Sequence, residues 1–212
     1  MEEIIKRTMQ AIEKNRMNAF YAEKKEDVVP IIESILKEGA SVAVGGSMSL
    51  FECGVIEHLR SGRYNFIDRY KEGLSREGIG KIYRESFFAD AYLCSSNAVT
   101  EEGELYNVDG NANRVAAIAF GPEKVIMVVG KNKIVKNIDE AVLRVKNIAC
   151  PKNCVRLSCD TYCKIKGHCA VNDASYDGCT SDGRICCTRL ICDMQRVKGR
   201  INVIFVGEDV GY

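Results

Sequence analysis

The sequence has almost no net charge, although charged residues are common in it. Its 212 residues include 30 lysines and arginines against 29 aspartates and glutamates. Proteins that bind nucleic acid or anionic membranes need a concentrated positive field, and a chain this neutral gives no basis for one. We therefore expect neither nucleic acid nor an anionic membrane among its partners.

The chain also lacks a long apolar run. No stretch approaches the ~20 apolar residues that cross a bilayer. Its first residues, Met1 to Arg7, begin with acidic side chains and lead into no apolar core, so they do not resemble a signal peptide. We predict no membrane span and expect a cytoplasmic protein.

Apolar residues follow two periods that alternate along the chain. Short apolar runs, typical of buried strands, occur at residues 41–44, 64–67, 91–94, 125–129 and 201–206, and a hairpin is expected between residues 99 and 108. Helical spacing occurs over residues 2–22, 27–38, 48–60, 76–88, 111–119 and 138–148. This alternation predicts an α/β fold with a mostly parallel sheet flanked by helices.

Cysteine is concentrated in one segment near the C-terminus. Nine of the 11 cysteines lie between residues 150 and 192, whereas Cys53 and Cys94 stand alone and are predicted to be core residues. Residues 150–198 lack long apolar periodicity, so we predict an irregular cysteine-rich C-terminal insertion. We assign residues 1–149 and 199–212 to one α/β domain and residues 150–198 to a lobe packed on it.

The spacing of these cysteines does not identify which metal they would bind. No C-x2-C pair occurs, so neither a zinc ribbon nor a bacterial ferredoxin pattern is matched. In a reducing compartment, dense cysteines are more typical of a metal or redox site than of a disulfide framework. Thiolates suit both zinc and iron–sulfur clusters, and reduced structural thiols or disulfides remain alternatives.

Two polar segments follow predicted strands, where ligands of open α/β sheets bind. The first is Gly45-Gly46-Ser47-Met48-Ser49, at the turn from a strand into a helix. Glycines let a ligand approach the backbone, and free N–H groups at a helix start attract anions. An ordinary tight turn with a serine N-cap is an equally good interpretation.

The second segment, residues 95–114, is dense in hydrogen-bonding side chains. Arg114 has the planar fork that binds a carboxylate or phosphate, and Asp109 can act as a base or orient a ligand hydroxyl, so we assign the catalytic role to this pair. The ligand-binding candidates here are Asn97, Asn107, Asn111 and Asn113, alongside Gly45, Gly46, Ser47 and Ser49 of the first segment. A hairpin followed by a capped helix is the alternative interpretation, because Asn, Asp and Gly dominate turns.

Eight segments, in order along the chain, carry a family resemblance: residues 45–50, 64–69, 89–98, 102–103, 107–117, 120–122, 130–135 and 206–209. Through them the chain resembles the lactate-utilisation (LUD) domain proteins. The resemblance implies a fold similar to the sugar-phosphate isomerase and CoA-transferase group, with the glycine–serine loop and the asparagine-rich stretch facing a common ligand cleft. It also implies a link to the oxidation of L-lactate to pyruvate, with iron–sulfur proteins as redox partners.

The cysteine segment takes part in the same resemblance, through Cys163, Gly167, Cys169, Cys179 and Arg184-Ile185-Cys186. The resemblance implies that Cys163, Cys169, Cys179 and Cys186 are metal ligands. The spacing departs from the family pattern, because residues 170–178 separate Cys169 from Cys179. The cysteines that look additional are Cys150, Cys154, Cys159, Cys187 and Cys192.

The leading functional expectation is therefore a component of lactate-type organic-acid oxidation. The cleft would bind a small anionic substrate, and the cysteine lobe would hold an iron–sulfur cluster for electron transfer. One alternative is a non-catalytic binding or assembly module with a structural zinc. Another, by fold analogy, is an isomerase or transferase that acts on a phosphorylated or CoA-linked substrate. A homo-oligomer is compatible with each of these.

Overall fold

Ten strands form two sheets in the computed structural model, which describes residues 1–212. The strands are β1 (Asn18–Ala22), β2 (Ser41–Val44), β3 (Asn65–Ile67), β4 (Ala91–Cys94), β5 (Ala98–Thr100), β6 (Leu105–Asp109), β7 (Lys124–Gly130), β8 (Ile134–Val135), β9 (Thr188–Cys192) and β10 (Ile201–Val206). The larger sheet is parallel throughout, in the order β1-β10-β7-β4-β2-β3. The smaller sheet, ordered β8-β5-β6-β9, is mixed, because β5 pairs parallel with β8 and antiparallel with β6.

Nine α-helices accompany the two sheets. They are α1 (Glu3–Lys14), α2 (Val28–Ile35), α3 (Met48–Glu52), α4 (Val55–Leu59), α5 (Arg76–Glu85), α6 (Asn113–Phe120), α7 (Ile138–Arg144), α8 (Cys150–Arg156) and α9 (Tyr162–Lys166). A π-helical stretch, Val145–Ala149, joins α7 to α8, so helical backbone runs without a break from Ile138 to Arg156. No helix combines the length and the apolar composition that crossing a membrane requires.

The larger sheet is covered on both faces by apolar side chains. Along β7, Ile126 and Val128 belong to a cluster of 19 buried residues, whereas Val125, Met127 and Val129 belong to a separate cluster of 18. Successive side chains of a strand point to opposite faces, so a strand buried on both sides reads as a continuous apolar run. The predicted α/β fold, with a mostly parallel sheet and flanking helices, is confirmed.

The predicted N-terminal helix over residues 2–22 is wrong in its second half. Helix α1 ends at Lys14, Arg16 adopts a positive φ of 65°, and the chain continues as β1. Strand β1 pairs with β10 along its length, with Phe20 opposite Ile204. Helix propensity is a weak preference that tertiary pairing overrides, and here the sheet edge determines the structure.

Most other predicted elements are present with small shifts. Strands β2, β4 and β10 have the predicted bounds, and β5 and β6 form the predicted hairpin. The predicted helix over residues 48–60 is divided into α3 and α4 at Gly54, whose φ of +68° interrupts the helical backbone.

The cysteine-rich region lies between α7 and β10 and is only partly irregular. It contains α8, α9 and β9, and β9 joins the smaller sheet by pairing antiparallel with β6. The helical stretch from Ile138 to Arg156 passes through residue 150, where we placed the start of the lobe. The division into a domain and a lobe stays a prediction.

Candidate functional site

A polar cleft of about 320 Å³ lies at the carboxyl ends of three neighbouring parallel strands. The loop 45–47 and the start of α3 follow β2, residues 95–97 follow β4, and a 3-10 turn, Lys131–Lys133, follows β7. Carboxyl ends of adjacent parallel strands share one edge of a sheet, where open α/β proteins bind ligands. The fold therefore brings the two polar segments singled out in the sequence to one place.

Arg114, from α6, is the centre of a buried hydrogen-bond network beside this cleft. The acceptors of its guanidinium are Asp109 Oδ1, Ser95 O, Asn107 Oδ1, Asn97 Oδ1 and Val108 O, at donor–acceptor distances of 2.7 to 2.9 Å. An arginine has five N–H donors, so each has an acceptor within the protein. Arg114 lines the cleft, and its geometry is that of a residue that positions its neighbours.

Asp109 is the one carboxylate that lines the cleft, and the protein already pairs it. Its Oδ1 lies 2.7 Å from the Nη2 of Arg114, and its Oδ2 accepts the backbone N–H of Val115 at 2.7 Å. Only 10% of its side chain is exposed. A buried carboxylate is stable when it is both ion-paired and hydrogen-bonded, and Asp109 satisfies both conditions. The catalytic roles assigned to Asp109 and Arg114 stay predictions.

The glycine–serine loop is shaped by this arginine. A Cβ added to Gly45 would lie 3.0 Å from the hydroxyl of Tyr92 and 3.1 Å from Cδ of Arg114, so a side chain at this position would displace the network. Gly46 has more room, since the nearest atom to an added Cβ is Nη1 of Arg69 at 3.7 Å. Ser47 caps α3 by accepting the N–H of Leu50 at 3.4 Å, which is the ordinary turn role considered for it.

The remaining predicted ligand-binding residues fall into two groups. Asn97, Asn111 and Asn113 line the cleft, as do Gly46 and Ser47. Asn107 and Ser49 are fully buried behind its wall, where Asn107 accepts from the central arginine and Ser49 bonds a lysine described next. Their direct contact with a ligand stays a prediction.

Lys133 is a cleft residue that the sequence reasoning missed. It is 2% exposed, and its Nζ donates to the hydroxyls of Ser49 at 2.8 Å and Ser95 at 2.9 Å. Burial, together with the nearby guanidinium groups of Arg144 and Arg114, lowers its pKa to about 7, against a smaller opposing effect of Glu52. The signal available in the sequence was its position directly after a core strand.

Three further arginines give the cleft a positive character. Arg69, Arg156 and Arg184 line it, and none of them forms an ion pair with a carboxylate. Arg69 donates to the hydroxyl of Tyr83 at 2.6 Å and stacks over that ring, which fixes the direction of its guanidinium. With Arg114 and Lys133, five basic side chains therefore face one paired carboxylate.

The four cysteines implied as metal ligands line one small cavity of about 30 Å³. These are Cys163, Cys169, Cys179 and Cys186, and Cys150 lines the same cavity. Hydrogen bonds from Cys150 and then Arg184 lower the pKa of the Cys186 thiol below its usual value. No three Cys, His, Asp or Glu side chains converge on a point that would hold a single ion.

Strand β6 separates the cysteine cavity from the arginine network. Its residues Tyr106 and Val108 line the cavity, whereas Asn107 and Asp109 bond Arg114 on the other side. This division follows from the two-residue period of a strand. Val108 also lines the cleft, so the two sites share a wall.

Arg184 is a second connection between them. It lines the cleft and donates to the carbonyl of Cys179 at 2.9 Å and to the sulfur of Cys186 at 3.2 Å. One guanidinium therefore contacts the cysteine cavity from the cleft side.

Comparison with known proteins identifies the family to which this sequence is similar. The model of the LUD domain matches residues 5–206, which is almost the whole chain. A solved DUF162 family protein from Deinococcus radiodurans is similar over 96% of this chain and 96% of its own, with a TM-score of 0.52 and 18% identity, which shows a common fold. The eIF2B beta structure from Chaetomium thermophilum has 15% identity over 57% of this chain and 42% of its own, and its TM-score of 0.38 is too low to show a common fold. No curated protein matches the chain.

Proposed function

Because the chain belongs to the LUD domain family, whose name links it to lactate utilisation, we propose that its cleft binds a small carboxylate of the lactate or pyruvate type. In this proposal the protein is one component of lactate-type organic-acid oxidation. The observation that carries the proposal is the charge of the cleft, where five basic side chains face one carboxylate that is already paired.

The excess positive charge favours an anion because Arg69 and Arg184 are half-buried, and cations withdrawn from water are costly without a partner, whereas Arg156 is exposed. Arg69, Arg156 and Arg184 have no protein carboxylate within ion-pairing distance. Clefts lined by one sign of charge with low-dielectric walls concentrate ligands of the opposite sign. A cleft of about 320 Å³ also matches the lower end of small-molecule sites, which suits a small acid.

In this proposal, the hydrogen bonds of Arg114 keep the wall of the cleft rigid. Arg114 uses its N–H groups to fix Asn97, Asn107 and Asp109, so the cleft wall keeps its shape before a ligand arrives. Fixed polar groups bind and orient a ligand at lower entropic cost than mobile ones. Asn97 lines the cleft and is the uncharged side chain of this network placed to meet the ligand, beside the already paired Asp109.

We further propose that Cys163, Cys169, Cys179 and Cys186 hold an iron–sulfur cluster. All four line the same cavity, and the lowered pKa of Cys186 favours the thiolate that metal binding requires. Ligands of a multi-iron cluster bind different irons, so they need not converge on one point as the ligands of a zinc ion do. An iron–sulfur cluster supplies one-electron transfer when it is bound. The wall formed by Val108 and Arg184 would keep it next to the cleft.

Calorimetry with defined ligands tests the cleft. L-lactate and pyruvate are titrated into the protein, with lactamide as an uncharged analogue that lacks the carboxylate. We expect both acids to bind and lactamide to bind at least about tenfold more weakly, since a charge-assisted contact is lost. Arg156→Met tests the exposed cleft arginine, and Arg60→Met is the matched control because Arg60 pairs with Asp68 and does not line the cleft.

The expected result is weaker acid binding for Arg156→Met and unchanged binding for Arg60→Met. Equal affinity for lactate and lactamide, or an unchanged Arg156→Met variant, would show that the positive cleft does not select carboxylates. Both variants replace partly exposed arginines, so folding is not expected to complicate the comparison.

The cysteine site is tested by the absorption spectrum and metal content of protein purified without oxygen. A brown sample that holds iron and sulfide and is bleached by dithionite supports the redox assignment. A colourless sample with about one zinc supports a structural role instead, since zinc has no redox chemistry. Cys179→Ser should abolish the colour, whereas Cys53→Ser, a core cysteine outside the cavity, should keep it.

A further inference from the structure

Lys133 combines burial, a missing counter-charge and access to the cleft. It is 2% exposed, yet no carboxylate lies within ion-pairing distance of its Nζ. It also lines the cleft, so a ligand can reach it. A buried ammonium group without a partner is strongly disfavoured, and proteins either neutralise it or supply an anion.

Two serines fix the direction of this amine. Ser49 donates its own hydroxyl to the carbonyl of Val210, and Ser95 donates to that of Ser96, both at 3.2 Å. Each hydroxyl is therefore oriented to accept from Lys133, which donates to both. A lysine ammonium has three N–H donors, so the third has no acceptor in the protein.

The charged groups around Lys133 do not compensate it. Arg144 of α7 and Arg114 of α6 both disfavour its charged form. Glu52, at the end of α3, favours that form, but its carboxylate is already bonded to the backbone N–H of Gly211 at 2.8 Å. The Cys53 thiol, next to Glu52, has a small favourable effect and is neutral at physiological pH, because burial raises its pKa to about 12.

We propose that Lys133, held by Ser49 and Ser95, binds the carboxylate of the ligand through its free N–H group and, where the empty site is neutral, takes up a proton when that ligand enters. The inference rests on the proposed binding of a small carboxylate in the cleft and names the group that recognises it. Nothing covalent forms. A proton moves from solvent to Nζ of Lys133, and the resulting ammonium pairs with the incoming anion.

The coupling follows from the partner that the ligand supplies. An anion within hydrogen-bond reach stabilises the ammonium form and raises the pKa of Lys133 well above its value of about 7 in the empty cleft. At pH 8 the empty site is mostly neutral, so binding should take up about 0.9 proton, whereas at pH 6 uptake should be about 0.1 proton. The affinity for a carboxylate should then fall about fivefold between pH 7 and pH 8 and about tenfold between pH 8 and pH 9.

Proton uptake is measured by titrating pyruvate into the full chain at pH 6 and pH 8, in two buffers that differ in ionisation enthalpy. Lys133→Arg keeps a permanent charge, so it should bind pyruvate without proton uptake. Lys133→Met should bind at least about tenfold more weakly. Lys131→Met is the matched control, since Lys131 lies in the same turn but has a half-exposed side chain that pairs with Glu2, and proton uptake by this variant should equal that of the wild type.

A second measurement is made on the wild-type protein without any ligand. The NMR signal of the Lys133 side chain, assigned by its absence in Lys133→Met, is followed with pH in the empty protein. A midpoint near 7 supports the inference, and a midpoint near 10.5 overturns it whatever the cleft binds.

The two proposals fail in different ways. Pyruvate binding at pH 8 without proton uptake would leave the proposed function standing and overturn the role of Lys133. If pyruvate and L-lactate do not bind but inorganic phosphate binds with proton uptake by Lys133, the recognition of an anion by this lysine stands and the lactate-type function is wrong.

Discussion

Replacing Arg114 by methionine should destabilise the protein severely, for a reason specific to its surroundings. Methionine keeps an unbranched side chain in the space beside Gly45 but removes all the guanidinium donors. The carboxylate of Asp109, 10% exposed, would then be left without its cation. Breaking a buried ion pair by removing one partner typically costs about 3–5 kcal/mol, because the other charge remains buried and unpaired.

Equilibrium urea denaturation, followed by far-ultraviolet circular dichroism, measures this change in the free energy of unfolding. Arg60→Met is the control, since Arg60 forms an equally short 2.9 Å hydrogen bond with a single aspartate but is 44% exposed. We expect no resolved loss for the control, because exposed ion pairs contribute little. The double variant Arg114→Met with Asp109→Asn should be more stable than the single one, since no unpaired charge remains.

A loss below about 1 kcal/mol for Arg114→Met would refute this reasoning. It would mean that solvent or a rearranged side chain compensates Asp109, and that the network is not the rigid wall described above. A double variant less stable than Arg114→Met would refute the explanation in a different way. It would place the main cost in lost hydrogen bonds to the backbone and not in the uncompensated charge.

Three other outcomes can be checked with simple variants. Gly45→Ala should lower stability by about 1–3 kcal/mol, since its Cβ meets buried atoms at 3.0–3.2 Å, whereas Gly46→Ala should be nearly neutral, and equal urea midpoints would contradict this. Lys133 has a pKa near 10.5 in the unfolded chain and about 7 in the folded chain. Between these values the unfolded chain binds one more proton, so the stability of the wild type relative to Lys133→Met should rise by about 1.4 kcal/mol per pH unit. Stability curves of the two proteins that run parallel would show that the charge is not buried. Iodoacetamide at pH 8 should label exposed Cys187 in the native protein but not Cys94, whose pKa burial raises to about 12, and mass spectrometry of the digested protein reports both sites.

The position of the cleft was predictable because it depends on local patterns. Short apolar runs ending in Gly45-Gly46 and in Ser95-Ser96-Asn97 identify two strand ends, and parallel sheets collect such ends at one edge. The position of β1 was not predictable, because Phe20 continues the helical spacing of α1 and only its pairing with β10 reveals a strand. When two strands far apart in sequence pair with each other, the pairing does not change the pattern of apolar residues in either strand.

The roles of two basic residues depend even more on the folded structure. Arg114 has the side chain of a ligand clamp, and only its five acceptors show that it holds the protein together. Lys133 stands in the sequence Lys131-Asn132-Lys133, which reads as a solvated turn, yet the Lys131 side chain is 37% exposed whereas Lys133 is 2% exposed. A sequence shows which residues are basic. Only the folded structure shows which groups surround a basic side chain, and those groups determine its charge and whether it is free to bind a ligand.

Strand β6 limits how this protein can change over evolution. Because its alternate residues face the arginine network and the cysteine cavity, inserting or deleting one residue would exchange the two sets of side chains at once. A change in the length of this strand therefore cannot remodel one site without altering the other. A lineage that loses one of them is therefore expected to have freedom to vary β6, whereas a lineage that keeps both should preserve its length and its alternation of side-chain types.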